Sequence, residues 1–223
     1  MSALREWRLL ADEKAEWPRG SWTDEPDKLQ WIDEGTGLDC LIVRNGSGAL
    51  CGYVGVGPGH PLHGVGYSQC MRTPPCDDSW CGHSPGSLVD VHGGLTFADS
   101  CTEPTRELWN RMRTAVHAQQ ADARRYPQGD AATRAKRMAP FMADDAYDAW
   151  REQAQGTLIC HVPEPGRPAN VWWFGFDCAH YRDVTPAYAC EGQYRDIDYV
   201  TREVASLARQ LAEYGAMNAQ EAS

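Results

Sequence analysis

The sequence predicts an α+β protein: a mostly antiparallel sheet built from hairpins, an inserted helical layer and a C-terminal amphipathic helix. Three observations carry that prediction. Leu38–Arg44 and Ala49–Val56 are β-type runs separated by Asn45-Gly46-Ser47-Gly48, residues that tolerate the positive φ of a tight hairpin. From Pro104 to about Gly156 the chain turns rich in Ala, Arg and Gln. Near the end, Val200, Val204, Leu207 and Leu211 repeat at the spacing of one helical face. Strands and helices segregated in this way define α+β, and 223 residues suit a single domain over 1–223 with 104–156 inserted in it.

Residues 1–37 scatter Trp7, Trp17, Trp22 and Trp31 among acids and read as a short helix followed by a loop. After the hairpin, GPGHPLHGVGY (57–67) has too much Gly and Pro for a regular element; it is a loop carrying His60, His63 and Tyr67. The loop continues through 68–87 with Cys70, Cys76, Cys81 and His83. Leu88–Phe97 reads LVDVHGGLTF, an alternating strand interrupted by Gly93-Gly94. Pro127 and Pro140 divide the helical stretch into two or three helices. Thr157–Val162 and Asn170–Cys178 read as strands, joined through the PEPGRP turn as a second hairpin, and Tyr199–Tyr214 reads as the final helix.

The net charge is −10, which argues against a protein that coats duplex nucleic acid. That average conceals a basic block: between Pro104 and Pro140 eight Arg and Lys stand against three acids, a net of +5 on a remainder of −15. Such a block either receives a small anion or forms a solvated helix face. No stretch approaches the ~20 apolar residues of a membrane span, and no apolar leader follows Met1, so the expected location is cytoplasmic with no membrane partner. The nine cysteines are then reduced thiols, with Cys40, Cys51, Cys160 and Cys178 acting as small hydrophobes.

Candidate chemistry gathers in two segments. On an alternating 88–97 strand, Asp90 and His92 share a face, so the carboxylate can orient the imidazole, while Gly93 and Gly94 allow close approach of a ligand. A hydrogen-bonded histidine in a β-bulge is the alternative. In NVWWFGFDCAHYRD (170–183), Trp172, Phe174, Phe176 and Cys178 point to the core, and Trp173, Gly175 and Asp177 point away. Asp177, His180 and Asp183 at the end of that strand suit acid–base catalysis or a metal, or else a capping network. His60 and His63 have a weaker metal spacing. Cys70, Cys76, Cys81 and His83 do not match the usual paired zinc spacings. Trp173, Tyr67 or Trp80 could stack a nucleobase, although Trp172, Trp109 and Trp150 suit a core.

Three strings together, CGYVGVGPGHPLHG (51–64), LVDVHGGLTF (88–97) and NVWWFGFDCAH (170–180), resemble a widespread family of small phage and prophage proteins. The likeness extends to ICHVPEP (159–165) and YRDIDYVTREVASLARQL (194–211), about half the chain, and excludes the helical stretch. It implies a phage accessory protein acting in the host cytoplasm, with an anti-defence role of the anti-CBASS or anti-Thoeris type. The expected activity is that of a phosphodiesterase on a small cyclic nucleotide messenger. His92 and His180 would act as acid and base, and Asp90 and Asp177 would orient them. Gly93, Gly94, Thr96, Trp173, Tyr67, His63 and Asp183 would hold the ligand. No cofactor is required in this reading; an alternative places one divalent metal on His92, Asp177 and His180. A non-catalytic sponge for the same small anionic nucleotide and a partner-blocking protein are the other readings, and a homo-oligomer is left open.

Overall fold

The computed structural model describes residues 4–76, 82–101, 103–125, 143–154, 158–188 and 191–221. The chain divides into two compact units, Met1–Cys101 with Ile159–Ser223, and Thr102–Leu158. The first holds a six-stranded antiparallel sheet in the order β1-β2-β3-β4-β6-β5. Its strands are β1 (Arg5–Trp7), β2 (Lys28–Ile32), β3 (Asp39–Arg44), β4 (Leu50–Val56), β5 (Phe97–Ser100) and β6 (Trp172–Asp177). Helix α1 (Ala11–Glu16) lies between β1 and β2, and the short α2 (Pro85–Leu88) precedes β5. A parallel pair, β7 (Asp183–Val184) and β8 (Gln193–Tyr194), leads into the long helix Ile197–Glu221. The architecture is α+β, with helices α3 (Arg106–Arg125) and α4 (Tyr147–Ala154) forming the second unit. The C-terminal helix is therefore α5.

The hairpin forms where the sequence places it. Asn45 Oδ1 accepts from the amides of Ser47 and Ala49, and Gly48 takes φ +84° to close the turn. Alternation then sorts the sheet residues into two faces. One face presents Leu29, Cys40, Ile42, Leu50, Val54, Phe174 and Phe176 to the stripe Val200, Val204, Leu207 and Leu211 of α5, all four of which are fully buried. Gly52 makes this contact close: a Cβ there would sit 2.5 Å from the Phe176 ring and 2.6 Å from Val204. Each aliphatic side chain buried here stabilises the fold by about 1.5–3 kcal/mol relative to exposure.

Four sequence expectations change. Residues 1–37 contain two strands besides a helix, because β2 presents Lys28 and Gln30 to a second, polar-bonded face. Thr157–Val162 is not a strand over its described residues. Cys160 O accepts from Lys28 Nζ, and Val162 exchanges both backbone bonds with the Gln30 amide, so side chains replace a ladder partner. The second hairpin is therefore absent: β6 pairs with β4 and β5. Leu88–Phe97 is also not a strand until Phe97, because the amides of Asp90 and His92 bond Gln210 and Glu203 of α5, and Gly93 and Gly94 turn the chain at φ +68° and +81°.

Within the second unit, Trp109 and Trp150 are buried with Ala154 around Tyr147. Arg106 lies 4.0 Å from the Tyr147 ring, and Arg113 lies 4.5 Å from the Trp109 ring while pairing with Asp144. Part of the basic block thus serves this unit's own packing by cation–π contact. Arg134, Lys136 and Arg137 lie outside the described residues. No helix among the described residues is long and apolar enough to cross a membrane.

Candidate functional site

Strand β6 ends at Asp177, and the chain folds back over Cys178–Arg182 before β7 begins at Asp183. The reversal is held by reciprocal bonds: Asp183 N donates to His180 O, and His180 N donates to Asp183 Oδ2. Arg182 takes φ +71° within it. The same Oδ2 receives His92 Nε2 at 2.6 Å, and Oδ1 receives Arg195 Nε at 3.0 Å. One carboxylate, 2% exposed, therefore fixes the backbone of one histidine and the ring of the other. Burial alone would raise its pKa, but the bonds from His92, Arg195 and the His180 amide outweigh that and hold it below the usual carboxylate range.

Helix α5 supplies the other wall. Asp196 caps its first turn, its Oδ1 accepting from Tyr199 N. This sets Tyr199 against His92, hydroxyl to Nδ1 at 3.0 Å. An ionised Asp183 only accepts, so His92 carries its proton on Nε2, and in the neutral ring Nδ1 accepts from Tyr199. Burial and the neighbouring Glu203 push the Tyr199 phenol up, against the pull of Arg195, so it retains its proton at neutral pH. Glu203 Oε2 holds the His92 amide.

The rings of His92 and His180 lie 5.6 Å apart between centroids. His180 Nε2 has no hydrogen-bond partner and sits 3.8 Å from Asp177 Oδ1, itself engaged by the Ala179 amide. Gly93 permits this approach: a Cβ there would lie 2.0 Å from His180 Nε2. Arg195 and Arg202 stand 4.8 and 6.0 Å from the Tyr199 ring, giving the site cationic neighbours.

The structure thus brings together His92, His180, Asp177, Asp183 and Gly93. Asp183, expected to touch a ligand, is the orienting carboxylate instead. Asp90, expected in that role, is exposed and engages Gln210 through its backbone, because the segment is not a strand. The Gly94 amide bonds Val91 O and so is not a free donor. Thr96 is exposed just before β5, its amide on Gly175 O. Trp173 is fully buried and cannot stack a base; the room left by Gly175 is filled by the Tyr53 ring.

Tyr67 and His63 belong to the loop that follows β4. His63 packs near Trp172, and its neighbour His60 bonds Leu211 O, about 18 Å further along α5 than Tyr199. Trp80 and Cys81 lie outside the described residues. Both ring nitrogens of His92 are engaged by protein groups, so neither is open to a metal in this arrangement. Among the described residues no group of three or more His, Cys, Asp or Glu side chains is arranged to hold one.

Sequence reasoning missed Tyr199, Arg195, Arg202 and Glu203. Tyr199, Arg202 and Glu203 are spaced three and four apart, a polar stripe beside the apolar one, which was the available signal. Tyr181 was also missed; it is 91% exposed next to His180, with Arg182 5.5 Å from its ring. Fold and site define a class: an α+β sheet protein with a carboxylate-braced histidine pair at the end of the inner strand β6. No family model, curated protein or solved structure matches the chain.

Proposed function

We propose that the chain is a hydrolase acting by histidine acid–base chemistry on a small anionic phosphodiester, a cyclic nucleotide messenger. The observation that supports this is the pair of imidazoles 5.6 Å apart in unlike settings, one tied between Asp183 and Tyr199, the other with an unbonded nitrogen beside Asp177. His180 takes the proton of the attacking hydroxyl or water as the new P–O bond forms. Tyr199, which keeps its proton at neutral pH and is braced by His92, gives that proton to the departing oxygen. Arg195 and Arg202 favour the anionic substrate, and Tyr181 replaces Trp173 as the stacking surface. The likeness to phage proteins suggests that the messenger is an immune signal of an infected host and that the protein acts in its cytoplasm.

The engagement of both His92 nitrogens favours a second reading, a sponge that binds the same nucleotide without cleaving it. Incubation of the purified chain with a panel of cyclic di- and trinucleotides, followed by heating and chromatography, separates the two. New products, reduced about 10²–10⁴-fold by His180→Ala, are expected of the enzyme. Intact nucleotide released by heating supports the sponge, and neither outcome overturns both in favour of a partner-blocking role. Turnover lost in EDTA and restored by a divalent ion would replace the metal-free route with the metal-dependent one.

A further inference from the structure

The second face of the sheet carries a cluster that the histidine site does not use. Cys101, directly after β5, has its sulfur 3.2 Å from Trp173 Nε1 and 3.3 Å from His161 Nδ1. An indole N–H can only donate, so the Cys101 sulfur accepts there. The Cys160 thiol lies beside it, its one proton shared between the Cys101 sulfur and His161 O, the latter 3.6 Å away. Lys28, 1% exposed, reaches Cys160 O at 2.6 Å, and its ammonium favours the thiolate form of both cysteines. His161 is 5% exposed, packs edge-on against Trp173, and its Nε2 has no hydrogen-bond partner. The proton therefore sits on Nδ1, aimed at Cys101, because a buried, unsatisfied Nε2–H would cost more. Cys101 and Cys160 are themselves only half-buried.

We infer that Cys101 is a reactive thiolate, a modification site for hydroperoxides, with Cys160 as its resolving thiol. A sulfur that accepts from an indole, an imidazole and a neighbouring thiol, beside a buried ammonium, is stabilised as the anion. The donors of Cys160, His161 and Trp173 pull its pKa well below the ordinary thiol value despite burial. Cys40, Cys51 and Cys178, in apolar surroundings, are pushed the other way.

The chemistry balances in two steps. The Cys101 sulfur attacks one oxygen of the hydroperoxide; an S–O bond forms, the O–O bond breaks, and the departing alkoxide or hydroxide takes up a proton. The Cys160 sulfur then attacks the sulfenic Cys101 sulfur. An S–S bond forms, the S–O bond breaks, and hydroxide leaves with the Cys160 proton as water. Two thiols lose two electrons and the peroxide gains them. The chain leaves the first unit at Cys101 and re-enters it at Ile159, so the disulfide closes the covalent loop that contains the helical insertion.

The test uses the full, pre-reduced chain with one equivalent of hydrogen peroxide, then alkylation, digestion and mass spectrometry. A linked Cys101–Cys160 peptide is expected as the main product, ahead of any Cys70–Cys76 link, although Cys70 and Cys76 are neighbours. In Cys160→Ser, Cys101 should accumulate as a dimedone adduct. Alkylation of Cys101 in that variant should fall less than about tenfold from pH 8 to 5.5, whereas an ordinary thiol falls roughly two-hundredfold. Trp173→Phe should steepen that fall. Oxidation that goes first to Cys70 and Cys76, or an ordinary pH profile at Cys101 in both Cys160→Ser and wild type, would overturn the inference.

Discussion

The two faces of β6 use alternate residues of one strand for opposite purposes. Phe174 and Phe176 enter a dry apolar layer under α5, where packing alone matters. Trp173, one residue away, enters a layer in which Leu41, Val43 and Val171 pack beside the buried polar side chains of Lys28, Gln30 and His161, each tied by a hydrogen bond. The first face is stabilised by area removed from water and tolerates substitutions of equal volume. On the second, removing one partner strands another, so shape-conserving changes are costly. The histidine site lies at the end of this strand, where polar groups from the turn after β6, from Gly93 and from α5 meet.

The largest effects should separate the two faces. Phe176→Ala and Trp173→Ala should each destabilise by about 3–5 kcal/mol in urea unfolding. Phe176→Leu should recover most of that loss, but Trp173→Leu should not, because the Cys101 sulfur loses the indole donor and His161 loses the ring it packs against. Equal recovery at both positions would mean that the second face is ordinary packing.

Gly93→Ala is expected to come next. Its Cβ would displace the His180 ring, and a displacement of about 1 Å costs a catalytic site roughly 10²-fold in rate. Strain at φ +68° adds about 1–2 kcal/mol of destabilisation. Nucleotide turnover and melting measured together distinguish a loss of alignment from a loss of fold.

Asp183→Asn should have a smaller, pH-dependent effect. A carboxyl whose folded pKa is depressed contributes stability above its unfolded value near ~3.9 and loses it as pH falls through the folded value. The gap in Tm between wild type and Asp183→Asn should therefore be constant from about pH 5 to 7 and close below about pH 4. A gap that persists in acid would assign Asp183 a role independent of its charge.

Much of the sheet was legible in advance because its signals are local. Asn45–Gly48 specifies a hairpin, and the Val200–Leu211 stripe specifies a covering helix, whatever surrounds them. The strand β2 was not legible, since Lys28 and Gln30 look like surface residues until the 160–162 backbone bonds them. LVDVHGGLTF failed for the same reason: its alternation suggests a strand, but Gln210 and Glu203, more than a hundred residues later, take its amides. His92 and His180 could be nominated by residue type, whereas the identity of their braces could not. Asp90 is near His92 in sequence, and Asp183 is near it in space.

The sequence by itself determined the α+β class, the central hairpin, the face of α5 that is buried and the segments that carry histidines. Periodicity and turn chemistry act within a few residues and need no partner. Only the tertiary structure decided which carboxylate holds His92, that Trp173 is interior, and that Cys101 meets Cys160 and His161. Those are contacts between residues far apart in the chain, and their partners are chosen by burial, which leaves polar groups no water to bond.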